Sequence, residues 1–346
     1  MHEPINRRAI LGAGLLAPFV LPRIARAQPA ERSVAGEHHR IDPERGQAHQ
    51  HGGAGATGPI ERALAQPVRK LSGFDPARFL VSFEWGKTST LPGGRTLREY
   101  TITAEDRTLE IAPGITFPAW TYNGSVPGPT LRCIEGDRLR IHFKNKSLGE
   151  HGMHFHGIHP AAMDGVTAIA PGKDFVYEFD AEPAGLHLYH CHTPPVDLHM
   201  SRGLYGTFIV DERAQKRRRA TEMVLVAAAW DVDFDKHNEI HAYNGPANYY
   251  RDNPIQIKVG EIVRLYLVNM LEFDPINSFH LHGNFFTVYR GTPRGEVEEY
   301  TDIVTLCQAE RRIIELSFKH PGVYMFHAHQ NAFAERGGMG HFEVIQ

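Results

Sequence analysis

The sequence predicts an all-β protein made of two tandem Greek-key β-sandwich or barrel domains, at residues 73–215 and 216–346. From about residue 73 onward, alternating or β-branched runs are separated by Gly- and Pro-rich turns, a spacing typical of such folds. Motifs of the first half recur in the second at offsets of 121 to 137 residues, which indicates duplication of a whole domain. The composition, 42% hydrophobic and 22% charged, is that of an ordinary folded chain.

The predicted strands are spread over both halves, with helices minor at most. Those of the first half are residues 79–85, 108–111, 138–143 and 207–210. Those of the second half are residues 222–227, 262–268, 285–289 and 312–318. A basic stretch at 213–219 places the domain boundary between the two sets.

The first 27 residues have the features of an export signal. Arg7 and Arg8 precede an apolar run at 9–20, and Ala25-Arg26-Ala27 is a small-x-small cleavage site. The run is too short for a bilayer span, which needs about 20 residues. Because paired arginines are typical of the twin-arginine signal, we expect a periplasmic or secreted protein with no membrane insertion after cleavage.

Residues 28–72 predict a flexible linker, since they are rich in Gly, Ala, Gln, Glu and Arg and low in hydrophobicity. The linker includes the pair His49/His51, which we interpret as solvated rather than metal-binding. The formal net charge of the chain is −3, so there is no electrostatic case for nucleic acid as a partner.

Histidine is strongly over-represented, with 22 residues in the chain against 3 cysteines. Three cysteines cannot form a disulfide framework or a four-cysteine zinc site. A random distribution would give about 1.4 His-x-His pairs, whereas the sequence has five. This excess predicts metal binding.

Four of the pairs lie at matched places in the two halves. They are His154/His156, His190/His192, His280/His282 and His327/His329. Residues i and i+2 of a strand point to the same face, so each pair presents two imidazoles side by side. Eight imidazoles exceed the three or four ligands of one zinc or one copper ion and therefore predict a cluster of several ions.

Cys191 lies between two of these histidines, so its sulfur must point to the opposite face of the strand and needs separate partners. His151 and His199 are the nearest candidates. Two imidazoles and one thiolate, with a weak or missing axial ligand, form the trigonal blue-copper arrangement. The sequence thus predicts two metal sites back to back, joined by one strand.

The pattern His-x-x-His-x-His-Gly at residues 151–157, followed by His-Cys-His at 190–192, resembles the multicopper oxidases. The resemblance covers about residues 73–346 and is strongest to two-domain, laccase-like members with the blue copper in the first domain. It implies cupredoxin domains, reduction of O2 to water, and four copper ions per chain: one type 1, one type 2 and two type 3.

The resemblance also implies the ligand of each copper ion by position. The type 1 copper takes His151, Cys191 and His199. The type 2 copper takes His154 and His280. The type 3 pair takes His156, His190, His192, His282, His327 and His329. Similar two-domain proteins complete the cluster between the subunits of a homotrimer, which is the assembly that the resemblance implies here.

Two positions depart from the family pattern. The second-domain counterparts of His151 and Cys191 are Asn277 and Ala328, so we expect a single blue site. The usual axial methionine is replaced by Leu204, which predicts a three-coordinate site and a raised reduction potential. Met200 remains the alternative axial ligand.

Two carboxylates are candidate catalytic groups because reducing O2 consumes protons. Asp164 lies where similar oxidases carry an acid, although an Asp-Gly turn explains it equally well. Glu335 is the second candidate. Cys133 and Cys307 are expected to be buried free thiols, with a disulfide left open.

The predicted function is therefore an exported, laccase-like copper oxidase that takes electrons from small donors, with phenols as the default. The alternatives are a copper nitrite reductase, a non-enzymatic copper-binding or electron-transfer protein, and a zinc-loaded structural protein. A nitrite reductase needs only one mononuclear catalytic copper besides its blue site, so the full set of eight histidines argues against it.

Overall fold

The computed structural model describes residues 58–69, 74–214, 218–289 and 297–346. The predicted signal peptide, the linker up to residue 57 and its residues 70–72 lie outside these ranges. None of the helices in the described ranges is long and apolar enough to span a membrane.

Strands make up most of the described secondary structure. The first domain has β1 (Lys87–Thr90), β2 (Thr96–Ala112), β3 (Ile115–Tyr122), β4 (Gly128–Ile134), β5 (Arg138–Asn145), β6 (His154–Phe155), β7 (Asp174–Asp180), β8 (Gly185–His190) and β9 (Tyr205–Asp211). The second has β10 (Thr221–Trp230), β11 (Ile240–Tyr243), β12 (Ile255–Lys258), β13 (Val263–Asn269), β14 (Ile276–Leu281), β15 (Phe286–Tyr289), β16 (Val297–Thr301), β17 (Ile303–Cys307), β18 (Arg311–Leu316), β19 (Gly322–His327) and β20 (Met339–Ile345).

The described helices are all short. They are α1 (Pro59–Leu64), α2 (Pro76–Leu80), α3 (Val196–Ser201), α4 (Tyr249–Asp252) and α5 (Asn331–Glu335), with a 3-10 turn at Ala161–Met163.

Each half of the chain forms two facing sheets. In the first domain, one sheet has the order β1-β2-β5-β7 with β3 on β2, and the other has the order β4-β9-β8-β6. Strand β5 shows the alternation that builds such a layer: Leu139, Ile141 and Phe143 are buried, whereas the residues between them are more exposed. The core between these sheets includes Cys191.

The second domain repeats this architecture with sheets of order β11-β10-β13-β18-β15-β16 and β12-β20-β19-β14-β17. Phe279 and Phe326 lie in its core. Two tandem sandwiches confirm the predicted all-β fold class. The predicted boundary at 215/216 falls in the undescribed residues 215–217, between β9 and β10.

The two sandwiches share a third buried cluster, in which Leu188 and Met200 of the first domain pack with Val226 and Trp230 of the second. An ion-pair network also crosses the junction. Arg132 on β4 binds Asp211 at 2.7 Å and Glu222 at 2.6 Å, and Glu222 binds Arg264 of β13 at 3.1 Å. The domains of one chain are therefore firmly joined.

The predicted strand at 79–85 is wrong, because helix α2 occupies its start. Asp75 caps the helix by accepting two backbone N–H bonds of the first turn, and proline stands at the first helical position. Phe79 and Leu80 are buried. The apolar residues that suggested a strand are thus the inner face of a short helix.

The prediction of a flexible linker up to residue 72 is also wrong for residues 58–69. Helix α1 begins with proline and buries Ala63 and Leu64. The Val68 N–H donates to Asp252 Oδ2 at 2.8 Å, and Arg251 donates to the Leu64 carbonyl at 3.1 Å. This segment packs on the second domain because its few apolar residues and its backbone groups find partners there.

Candidate metal centre

The four His-x-His pairs lie at the ends of neighbouring strands. The register of β6 on β8 puts His154 opposite His190, and the register of β14 on β19 puts His280 opposite His327. Adjacent strands are about 4.8 Å apart, so each register brings two pairs within reach of one another. The duplication seen in the sequence is therefore a duplication of site geometry.

The four histidines of the first domain form one group, the first-domain group. The ligand nitrogens of His154, His156 and His190 lie within 4.8 Å of one another. His156 Nε2 is 3.1 Å from His190 Nε2. The His192 ring completes the group, with its centroid 5.4 Å from that of His154.

The four histidines of the second domain form the matching second-domain group. His280, His282 and His327 have ligand nitrogens within 4.8 Å of one another, and His282 Nε2 is 2.9 Å from His327 Nε2. The His329 ring centroid lies 5.1 Å from that of His280. Within the described part of the chain, no ring contact or hydrogen bond joins the two groups.

Backbone carbonyls orient the imidazoles of both groups in the same way. His154 Nδ1–H donates to the Asp164 carbonyl at 2.8 Å, and His280 Nδ1–H donates to the Asp302 carbonyl at 2.9 Å. Two further rings donate from Nδ1 to the carbonyl of the next residue: His190 and His327. A carbonyl only accepts, so each of these four rings has its proton on Nδ1, and Nε2 carries the lone pair that a metal requires when the ring is uncharged.

Burial keeps several of these histidines uncharged. Burial and the neighbouring histidines lower the pKa of His156 to about 3, and burial is also the largest cause that lowers the pKa of His190 to about 4. The pKa values of His282 and His327 are also lowered, by partial desolvation and by the neighbouring histidines. Neutral imidazole is the form that binds metal ions.

A second site lies behind the first-domain group, where the structure brings His151, Cys191 and His199 together. Their ligand atoms lie within 4.8 Å of one another, and all three residues are buried. His199 Nδ1 is 3.2 Å from Cys191 Sγ and 3.2 Å from His151 Nδ1. Burial lowers the pKa of each of the two histidines to about 4.

The surroundings of Cys191 distinguish the two candidate axial residues. Leu204 is fully buried in the same core cluster as Cys191, and its carbonyl accepts the Cys191 N–H at 2.9 Å. Met200 belongs instead to the cluster shared by the two domains. The packing therefore favours Leu204 as the axial neighbour, and Met200 points into a different core.

The two predicted carboxylates differ in their positions. Asp164 Oδ1 is 3.2 Å from His154 Nδ1, so this acid directly contacts the first-domain group. Glu335 ends α5 and lines a cavity of about 510 Å³ with α1 and Arg336. It belongs to no cluster of metal-ligating side chains among the described residues, so the structure does not support a role for Glu335 at the metal centre.

Sequence reasoning missed two residues that contact the predicted ligands. Asp302 mirrors Asp164, since its Oδ2 is 3.9 Å from His280 Nδ1 and its carbonyl accepts from the same ring. Trp120 covers the other site, with its ring 5.0 Å from His151 and 4.8 Å from His199. The repeat does not point to Asp302, because Asp164 follows His154 by 10 residues and Asp302 follows His280 by 22. No motif marks Trp120 either.

The second domain has no counterpart of the Cys191 site among its described residues. Asn277 and Ala328, at the matching positions, line a void of only about 10 Å³. The thiol predictions held in part: Cys133 is buried and Cys307 is exposed, and both are free.

Comparison with known proteins agrees with this geometry. Family models described as multicopper oxidase match residues 103–215 and 222–346, which together cover more than half of the chain. The chain belongs to the multicopper oxidase family. A solved structure described as a multicopper oxidase is 50% identical to this chain and superposes with a TM-score of 0.77. The match covers 79% of this chain and 98% of the solved chain.

More distant relatives of this multicopper oxidase include an oxidase and a nitrite reductase. The blue copper oxidase of Nitrosomonas europaea is 27% identical to this chain, with a TM-score of 0.65. The match covers 72% of this chain and 86% of the oxidase chain. The copper-containing nitrite reductase of Neisseria meningitidis is 27% identical over 264 residues, 69% of this chain and 67% of the relative. Each of these matches is long enough to include parts of both β domains of this chain.

The side chains of this multicopper oxidase fit copper. Imidazole and thiolate are ligands that copper prefers, and a buried trio of two histidines and one cysteine is typical of blue-copper sites. His192 Nδ1 is buried without a hydrogen-bond partner, which is costly unless another species satisfies it. Membership of the family implies a copper-dependent oxidoreductase.

Proposed function

We propose that this multicopper oxidase is an exported, laccase-like enzyme that couples one-electron oxidation of small aromatic donors, such as phenols, to four-electron reduction of O2. The observation that carries the proposal is the pair of matched four-histidine groups beside a separate Cys191 site. A nitrite reductase or an electron carrier needs one or two mononuclear sites and would not need eight cluster imidazoles.

In this proposal each chain holds four copper ions. His151, Cys191 and His199 would hold the type 1 ion, with Leu204 packed beside them and offering no ligand atom. His154 and His280 would hold the type 2 ion. The type 3 pair would be held by His156, His190, His192, His282, His327 and His329. Bound copper would supply the one-electron steps and the reduction of O2.

The protein residues divide the remaining work. Cys191 joins the two sites covalently, because its side chain faces one site while its neighbours His190 and His192 face the other. The carbonyls of Asp164 and Asp302 hold the proposed type 2 ligands in one tautomer. The carboxylates of the same two residues, 37% and 40% exposed, connect the site to solvent and can carry protons inward.

The two groups would form one cluster only between chains. Among the described residues the two groups make no contact within one chain, and His282 and His329 of the second-domain group are exposed. Exposed apolar side chains stand a few residues along the chain from members or contacts of both groups: Ile158 and Val166 in the first domain, and Phe285 and Tyr300 in the second. Two different faces that fit one another can close copies of one chain into a ring, and we propose the homotrimer.

Copper counting tests this proposal. We expect the purified, copper-loaded protein to contain four copper ions per chain, to show an intense visible thiolate-to-copper band, and to have the mass of a trimer. O2 uptake with a phenol should accompany the band. Elemental analysis, absorption spectroscopy and analytical ultracentrifugation measure these three properties.

Three results would contradict the proposal. Two copper ions per chain with nitrite turnover would identify a nitrite reductase instead. Four copper ions in a protein that remains monomeric would show that the groups meet in another way. Zinc in place of copper, without a visible band, would indicate a structural metal site.

A carboxylate variant tests the proton supply. We expect Asp302→Asn to slow reoxidation of the reduced enzyme by O2 about 10- to 100-fold, the usual effect of losing an outer partner of a metal ligand. The blue band should remain, because Asp302 lies beside the second-domain group. Stopped-flow absorption of the band's return measures the rate.

Asp174→Asn is the matched control, since Asp174 is an exposed carboxylate at the start of β7 and makes no contact with either group. If both variants reoxidise at the wild-type rate, Asp302 has no part in the reaction. Asp164→Asn should resemble Asp302→Asn, because the two acids hold equivalent positions.

A further inference from the structure

A chain of hydrogen bonds leads from the Cys191 site to the surface of the protein. His151 Nε2 is 2.9 Å from Ser147 Oγ, and Ser147 Oγ donates to Asp106 Oδ1 at 2.9 Å. His151 and Ser147 are buried, whereas Asp106 is exposed. None of the motifs that define the site includes Asp106 or Ser147.

Proton counting determines the direction of this chain. A serine hydroxyl has one proton, and Ser147 gives it to the carboxylate of Asp106. Ser147 Oγ can therefore only accept from the imidazole, so the proton of neutral His151 is on Nε2. His151 Nδ1 keeps its lone pair, and this is the atom that lies 3.2 Å from His199 Nδ1.

The turn that carries Ser147 is held in place independently of His151. The Asp106 carboxylate also accepts the Leu148 N–H at 2.8 Å, and Asn145 Oδ1 accepts the Ser147 N–H at 3.0 Å. Asp106 itself pairs with Trp120 in the register of β2 on β3. The carboxylate and the indole that covers the site are thus placed by the same pair of strands.

We infer that Asp106 and Ser147 are positioning residues of the Cys191 centre, which hold His151 with Nδ1 free and lower the reduction potential of the copper that binds there. The inference rests on the proposed type 1 site. The oxidised ion has one more positive charge than the reduced ion, so a carboxylate connected to its ligand stabilises the oxidised state.

Two variants distinguish the effect of Asp106 on the reduction potential from the effect of Ser147 on the His151 tautomer. Asp106→Asn removes the charge but leaves an amide oxygen that can accept from Ser147, so the potential should rise while His151 stays protonated on Nε2. Ser147→Ala breaks the chain, so the potential should rise and the single tautomer of His151 should be lost. Ser147→Thr restores a hydroxyl and should return both properties toward wild type.

The matched control is Glu105→Gln, which removes the same charge one position earlier on β2. Glu105 pairs with Arg107 at 2.9 Å and has no contact with Ser147. Its effect on the potential should be several times smaller than that of Asp106→Asn. The Asp106→Asn shift should also shrink at high salt, because the carboxylate is exposed and therefore screened.

Spectroelectrochemical titration of the blue band measures the potential, and neutron diffraction of copper-free crystals locates the His151 proton. Equal potential shifts in Asp106→Asn and Glu105→Gln, or an unchanged tautomer in Ser147→Ala, would overturn the inference. If the wild-type protein binds no blue copper, the proposed function and the effect on the potential both fail. In that case the position of the His151 proton in the copper-free crystals still tests whether Ser147 and Asp106 hold His151 in one tautomer.

Discussion

Cys191→Ser is expected to abolish the visible band and to lower oxidation of donors to the level of the copper-free protein. Serine has nearly the same volume, but its hydroxyl is not ionised at neutral pH, so it cannot replace a thiolate ligand. The first-domain group lies on the other side of the strand, and the second-domain group lies on β14 and β19 of the other domain. Both groups should therefore keep their copper. We therefore expect three copper ions per chain in this variant.

His327→Ala should show the reverse behaviour. His327 lies within the second-domain group, 2.9 Å from His282 through their Nε2 atoms, and has no contact with Cys191. The blue band should form, bleach when a phenol is added, and fail to return in air. Absorption spectroscopy under air and under argon, together with copper analysis, distinguishes the two variants.

His142→Ala is the control for both variants, because His142 lies on the outer side of β5 beside Glu99 and contacts neither site. It should retain the colour and the activity. If a folded His327→Ala protein also lacked the blue band, the two sites would not be independent, and the proposed division of ligands would be wrong.

Arg132→Met is expected to lower the free energy of unfolding by about 3–5 kcal/mol, the usual cost of removing one member of a buried ion pair. Arg132 is almost fully buried and binds Asp211 and Glu222 at once, so the substitution leaves two carboxylates without their main partner. The guanidinium also lies over the Phe83 ring, 4.7 Å from its centroid. Equilibrium urea denaturation of the whole chain measures the change.

The control for this loss is Arg95→Met. Arg95 pairs with Asp180 at 3.2 Å, but both side chains are more than a third exposed, and exposed pairs contribute less than about 1 kcal/mol. Comparable losses in the two variants would show that burial of the Arg132 network is unimportant.

The effect of Arg132→Met should depend on pH. Burial by itself would raise the pKa of Glu222, but the hydrogen bond and charge of Arg132 outweigh it and lower that pKa to about 2. A carboxyl with a depressed pKa stabilises the folded state above its unfolded pKa, near 4.3, and this stability is lost as the pH falls toward 2. The difference between variant and wild type should therefore shrink across that window.

Much of the metal centre was predictable because it depends on local rules. Strand residues two apart share a face, so His154/His156 and its counterparts had to present pairs of imidazoles. The same rule put the Cys191 sulfur on the other face. Duplication of the motif then predicted two equivalent groups, and the structure shows both.

The secondary-structure prediction was wrong where the composition of a segment is compatible with two conformations. Residues 79–85 are apolar and aromatic and fit a strand, but Asp75 and a proline begin helix α2 instead. The polar composition of residues 58–69 suggested a linker, yet α1 finds a surface on the second domain. The cap and the proline of α2 are local signals that outweigh the apolar run, whereas the partners of α1, Asp252 and Arg251, are distant in sequence.

The sequence by itself determined which residues can bind metal, in which pairs, and in how many groups, because side-chain chemistry and the period of a strand suffice for that. Only the tertiary structure decided how those ligands are held. Asp302 reaches His280 and Ser147 links Asp106 to His151 through contacts made by strand pairing and loop packing. Such contacts leave no spacing in the sequence, because they join residues that meet only when the sheets form.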